Sequence, residues 1–171
     1  MPAQDSGYLQ IILLLVFVVI AVLFLLTQQN TLKAVKPENR LMQPGLVWLQ
    51  LIPLLGQIWQ FFVVIRIAGS IRKEIEFQEG DSILGSSDLR VVERLRKLPT
   101  AAIGIAYGIL TFTGTFVNLF STMGSNSPLI PVTGLIILAG MVCWIIYWVR
   151  LAQSRKILVQ AAAQADGETR I

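Results

Sequence analysis

A chain of 171 residues has the length of one domain. Its hydrophobic content of 54% and mean hydropathy of +0.68 exceed what a core of that size can hide from water, which excludes an ordinary soluble domain. The net charge of +4 arises from basic residues gathered at the ends of apolar runs, so it points to membrane headgroups and excludes nucleic-acid binding.

Four apolar runs account for the excess: residues 8–27, 46–68, 101–120 and 129–151. Each approaches or exceeds the roughly 20 residues that a helix needs to cross the hydrocarbon core. The expected architecture is all-α: a single membrane domain of four transmembrane helices, a cytoplasmic connection at 69–99 and a C-terminal tail at 152–171. The first run is too long for a signal-peptide core and lacks a small-residue cleavage site in Thr27-Gln28-Gln29-Asn30, so it is expected to be retained. It is almost wholly Leu, Ile, Val and Phe, which suits lipid contact over much of its circumference.

The second run carries Gln50, Gln57 and Gln60 at helical spacing, with Pro53 expected to kink it. The third holds Ala101, Gly104, Gly108, Thr111, Thr115 and Asn118 along one helix face, a small-residue stripe that lets another backbone approach. Antiparallel pairing of the two would set Gln50 near Asn118, Gln57 near Thr111 and Gln60 near Tyr107. Within the connection, 70–78 is expected to prolong the second helix and 88–98 to form a short amphipathic helix on the inner leaflet. Cys143, the one cysteine, falls in the fourth run and reads as a packing residue.

The even-numbered runs echo one another. Residues 51–58 match 129–136 at five of eight positions, and Arg66-Ile67-Ala68-Gly69-Ser70 resembles Arg150-Leu151-Ala152-Gln153-Ser154. Duplication of a hairpin and chance similarity of apolar segments both account for this, and the arginine half reads as a repeated interface anchor. With four crossings and both termini cytoplasmic, eleven basic residues lie inside and three outside, as the positive-inside rule requires. Arg66, Arg150, Tyr147 and Trp148 would then anchor the inner interface, with Tyr8 beside them, and Trp48 the outer one.

No catalytic constellation is visible. Histidine is absent and no Asp, Glu or Lys lies inside a run, so no general base, intramembrane metal site or cofactor site is expected. Glu74, Glu76, Glu79 and Asp81 read as a solvated helix end rather than a calcium loop.

The stretch Lys36-Pro37-Glu38-Asn39-Arg40-Leu41-Met42-Gln43-Pro44-Gly45-Leu46-Val47-Trp48-Leu49, with residues 51–65 and Trp144-Ile145-Ile146-Tyr147-Trp148-Val149-Arg150, resembles a group of small uncharacterised bacterial multi-pass membrane proteins. That resemblance implies a bacterial inner-membrane location and adds no catalytic residue. The expected role is that of a non-enzymatic membrane protein, a scaffold or accessory subunit working in the lipid bilayer with a membrane-protein partner. The alternative is a small channel or carrier formed as a homo-oligomer around the glutamines.

Overall fold

A computed structural model describes residues 3–52, 55–81, 93, 95, 100–123 and 130–168. Its long elements are four α-helices: α1 (Ala3–Ala34), α2 (Leu55–Asp81), α3 (Thr100–Met123) and α4 (Ile130–Glu168). Between α1 and α2 lie two 3-10 helices, Pro37–Asn39 and Pro44–Leu51. Both start on a proline, whose fixed φ suits a first helical position.

Among the described residues, three helices are long and apolar enough to cross a membrane: 7–34 in α1, 100–119 in α3 and 132–163 in α4. The four-span expectation is corrected here, and the error lies at 46–68. That run is not one helix. Its first part is the 3-10 helix ending at Leu51, and the α-helix starts only at Leu55. From Leu55 the apolar sequence lasts to Ile65 before Arg66, roughly 16 Å of helix, about half of a bilayer core.

The segment is a hairpin. At its base the Lys36 N–H donates to Glu74 Oε2 at 3.1 Å, and the Asn39 amide donates to the same oxygen at 2.8 Å. Farther along, the Leu41 N–H donates to Ser70 Oγ at 2.9 Å, and the Trp59 indole N–H to the Leu46 carbonyl at 2.8 Å. At the tip, the Gly56 N–H reaches the Ile52 carbonyl at 2.7 Å. A Cβ on Gly56 would lie 2.8 Å from the Gln50 carbonyl carbon, so the reversal needs glycine there. Residues 36 and 74 would stand about 30 Å apart across a membrane-spanning helix. They are in hydrogen-bond contact instead, so both arms return to the same side.

The hairpin packs on the last turns of α1. Gln50 Nε2 donates to Gln28 Oε1 at 2.6 Å and the Trp48 indole to Gln29 Oε1 at 3.2 Å. Gln28 lies roughly 9 Å from the end of α1, which bounds how deep the tip reaches. Arg40 turns back to close α1: its Nε donates to the Val35 carbonyl at 2.8 Å and its Nη2 to the Lys33 carbonyl at 2.9 Å. Those are helix-terminal carbonyls without an intrahelical partner, and a cation suits that end of the dipole.

The remaining helices meet at the same end. Trp148 Nε1 donates to Thr27 Oγ1 at 2.9 Å, and Phe24 packs edge-on against Trp144, Tyr147 and Trp148. Leu32, Val35, Ile67, Leu151 and Leu158 belong to one core cluster with Tyr147. By contrast, residues 8–19 of α1 are exposed throughout. Most of the expected 88–98 helix lies outside the described residues; Leu95 is buried in the core cluster and Glu93 is exposed.

The acidic run divides. Glu74, read as solvated from the sequence, is 3% exposed and holds the base of the hairpin. Glu76 is exposed and pairs with Arg72 at 2.8 Å, while the side chains of Glu79 and Asp81 lie outside the described ones. Replacing Glu74 by Ala leaves the Lys36 N–H and the Asn39 amide without their acceptor. The expected loss is about 2 kcal/mol of stability, measured as a lower unfolding midpoint in mixed micelles. Glu74→Gln, which keeps an acceptor oxygen, should lose less.

Candidate functional site

α2 crosses α3 through the small-residue stripe. A Cβ on Gly104 would sit 2.5 Å from Val64 Cγ1 and 2.8 Å from the Tyr147 ring, and one on Gly108 2.7 Å from the Phe61 ring. Beyond these glycines, Gln60 Nε2 donates to Thr111 Oγ1 at 3.0 Å, and the Thr111 hydroxyl itself donates to the Tyr107 carbonyl at 2.9 Å. The Thr115 hydroxyl donates to the Thr111 carbonyl at 2.9 Å. Each threonine thereby satisfies its hydroxyl on its own helix, which suits an apolar setting.

Past that crossing the helices part. A cavity of about 610 Å³ opens between α1, the start of α2, and the α3–α4 pair. Phe17 and Ala21 of α1 and Ile137 and Met141 of α4 are among its apolar lining residues. Gln57, Gln60, Thr111, Thr115 and Asn118 are among the amide- and hydroxyl-bearing side chains of α2 and α3 that line it. Gln57 is half-buried, and its amide oxygen is shut off from solvent with no hydrogen-bond partner. None of the lining side chains carries a formal charge near neutral pH. No group of three or more His, Cys, Asp or Glu side chains that could hold a metal exists among the described residues.

The three glutamines do not act as one face. Gln50 is in the hairpin arm and bonds Gln28 and the Val47 carbonyl; Gln57 and Gln60 face the cavity. Gln60 meets Thr111, where sequence spacing put Gln57, and Gln50 lies with α1 rather than near Asn118. Asn118 and Thr115 line the cavity.

Of the aromatic and basic anchors, Trp48 and Trp148 bond neighbouring positions of α1, Gln29 and Thr27, and so share one level. Tyr147 is 1% exposed and stacked on Tyr107, so its ring fills the core. Arg66 donates to the Leu41 carbonyl at 3.5 Å and its guanidinium lies 5.6 Å from the Phe62 ring centre. Arg150 is partly buried.

The arginine half of the echo has a common geometry. The Ser70 hydroxyl donates to the Arg66 carbonyl at 2.7 Å and the Ser154 hydroxyl to the Arg150 carbonyl at 3.0 Å. Ile67 and Leu151, one residue after each arginine, are buried, as are both serines. The proline half cannot be compared in the same way, because Pro53 and the side chain of Pro131 lie outside the described residues.

Sequence reasoning passed over Gln28, which is 1% exposed and ties the hairpin to α1. Its signal was the polar run Thr27-Gln28-Gln29-Asn30 inside a helix that continues to Ala34. No family model, curated protein or solved structure matches the chain.

The contacts at the crossing separate two kinds of substitution. Gly104→Val must displace Val64 and the packed Tyr147 ring, an overpacking cost of about 2 kcal/mol. Gln60→Leu loses one interhelical hydrogen bond, about 0.6 kcal/mol in a membrane. Unfolding titrations of both variants in the same micelles should show a marked drop for the first and a small one for the second.

Proposed function

We propose that this chain is a non-enzymatic membrane subunit, a scaffold or accessory protein that presents a folded polar platform at one membrane face. The observation that carries the reading is its one-sidedness. The end of α1, the hairpin base, the start of α3 and the Arg150 end of α4 are gathered at one end of the bundle. With three crossings, all 14 Lys and Arg residues of the sequence fall on that side. The residues before Tyr8 and those between α3 and α4 contain none.

A distribution this lopsided supports a cytoplasmic basic face, by the positive-inside rule. An odd number of crossings then puts the N-terminus outside and the C-terminus inside. This replaces the reading with both termini cytoplasmic, which depended on a fourth crossing. The resemblance of 36–65 to small bacterial membrane proteins supports an inner-membrane address. α4 extends to Glu168, roughly 58 Å from its start, and exposes Arg155 and Lys156 beyond Arg150. These side chains and the base of the hairpin are the surfaces offered to a partner.

A channel or carrier assembled around the glutamines has weaker support. Gln50 is engaged with Gln28, which leaves no row of three amides to line a pore.

Two measurements test the reading. In a Cys143→Ala background, Asp5→Cys should react with a membrane-impermeant maleimide in intact cells, and Glu38→Cys only after permeabilisation. Four crossings with cytoplasmic termini require the reverse pattern at both positions. For the role itself, native mass spectrometry in mild detergent should find a heteromer that the pair Arg155→Glu and Lys156→Glu dissociates. A homo-oligomer that conducts ions in liposomes would sink the scaffold reading in favour of the channel.

A further inference from the structure

We infer that the cavity between α1 and the α3–α4 pair binds an uncharged, single-chain lipid bearing a hydroxyl group. Three features of the cavity select that class. The first is size. A volume of about 610 Å³ has room for on the order of 20 non-hydrogen atoms at the roughly 30 Å³ that a water molecule occupies in the liquid. A transmembrane helix of about 10 Å diameter would fill that volume within about one and a half turns. One acyl chain with a small head fits, and a partner helix does not.

The second feature is charge. The lining includes Phe17, Ala21, Ile137 and Met141 on the apolar side and no Asp, Glu, Lys or Arg. An ionic headgroup drawn in here would lose its hydration with no counter-charge in return. The third is a wall amide. Gln57 lines the cavity beside Gln60, whose nitrogen is already committed to Thr111. A hydroxyl both donates and accepts, so it can bond Gln57 whichever way the amide is turned. The ligand therefore lies with its chain between α1 and α4 and its hydroxyl at Gln57, on the wall that α2 supplies.

The test uses the full chain in nanodiscs with a monoacylglycerol carrying a diazirine in its acyl chain, alongside an analogue whose glycerol hydroxyls are methylated. After irradiation, adducts are mapped by mass spectrometry. The hydroxylated probe should label residues 17–24 and 136–144, and unlabelled monoacylglycerol should compete it away. Its labelling should exceed that of the methylated analogue by about five-fold, the worth of one net hydrogen bond.

Gln57→Leu should reduce that ratio to about one while leaving the methylated probe's labelling intact. Because the ratio is taken within one variant, loss of folded protein does not mimic the result. Thr115→Phe, which fills the cavity, should suppress both probes. Equal labelling by the two probes in the unaltered protein overturns the proposal, since it describes bulk lipid at an apolar surface. Absence of adducts from the cavity residues overturns it as well, including the case in which a second copy is found there.

Discussion

The architecture depends on satisfying the backbone of one non-helical arm. Residues 36–52 leave α1 and run beside α2 without a continuous α-helical ladder of their own, and the arm carries the apolar stretch 46–52. Unpaired amides and carbonyls in such a setting cost several kcal/mol each. Ser70, Trp59, Glu74 and Arg66 supply bonds to this arm from α2. Gln28 and Gln29 hold two of its side chains from α1. With those partners the arm is stable as half of a hairpin. Without them those backbone groups would be left unpaired, and the half-hairpin would lose the bonds that fix it.

The rest of the bundle follows from where that hairpin sits. Because α2 occupies only part of the depth, α3 and α4 must pack on it at one end and on each other along their length. Gly104 and Gly108 permit the close passage at α2, and at Gly114 a Cβ would meet Ile136 and Ile137 at 3.4 and 3.6 Å, ordinary contact distances. Aromatic rings complete the basic end: Phe24, Tyr107, Trp144, Tyr147 and Trp148 interlock edge to face or stacked. No such packing accompanies residues 8–19 of α1. The cavity is the space left where a half-depth α2 stops and three full-depth helices continue.

The apolar character of the chain was legible in its sequence, as were the spanning helices α1, α3 and α4, because hydropathy over some 20 residues reports them directly. Of the stripe on α3, Gly104 and Gly108 meet α2, while Thr115 and Asn118 line the cavity, a division that spacing along one helix face does not reveal. The hairpin was not legible. Hydropathy averages over a window and carries no record of chain direction, so 46–68 looks the same whether it crosses or turns back. The clues were Pro44, Gly45 and Gly56, which interrupt the run at spacings that an uninterrupted span has no reason to contain. Glu74 was misread for a different reason: its partners, Lys36 and Asn39, lie more than thirty positions away, and only the fold brings them to it. Gln28 was lost because polar residues near a span end are ordinarily solvated, and nothing local marks one that is buried.

The exposure of residues 8–19 has a mechanical consequence. A spanning helix held by neighbours along its length takes its tilt from packing; one held only at its end takes it from the bilayer. The segment 7–34 is about 42 Å long, more than a hydrocarbon core of about 30 Å requires. α1 is clamped near Gln28 and Thr27, so its exposed half takes its lean from the surrounding lipid rather than from packing. Phe17 and Ala21, which line the cavity, belong to that half, so one side of the cavity lacks the support that the hairpin gives the other end of α1.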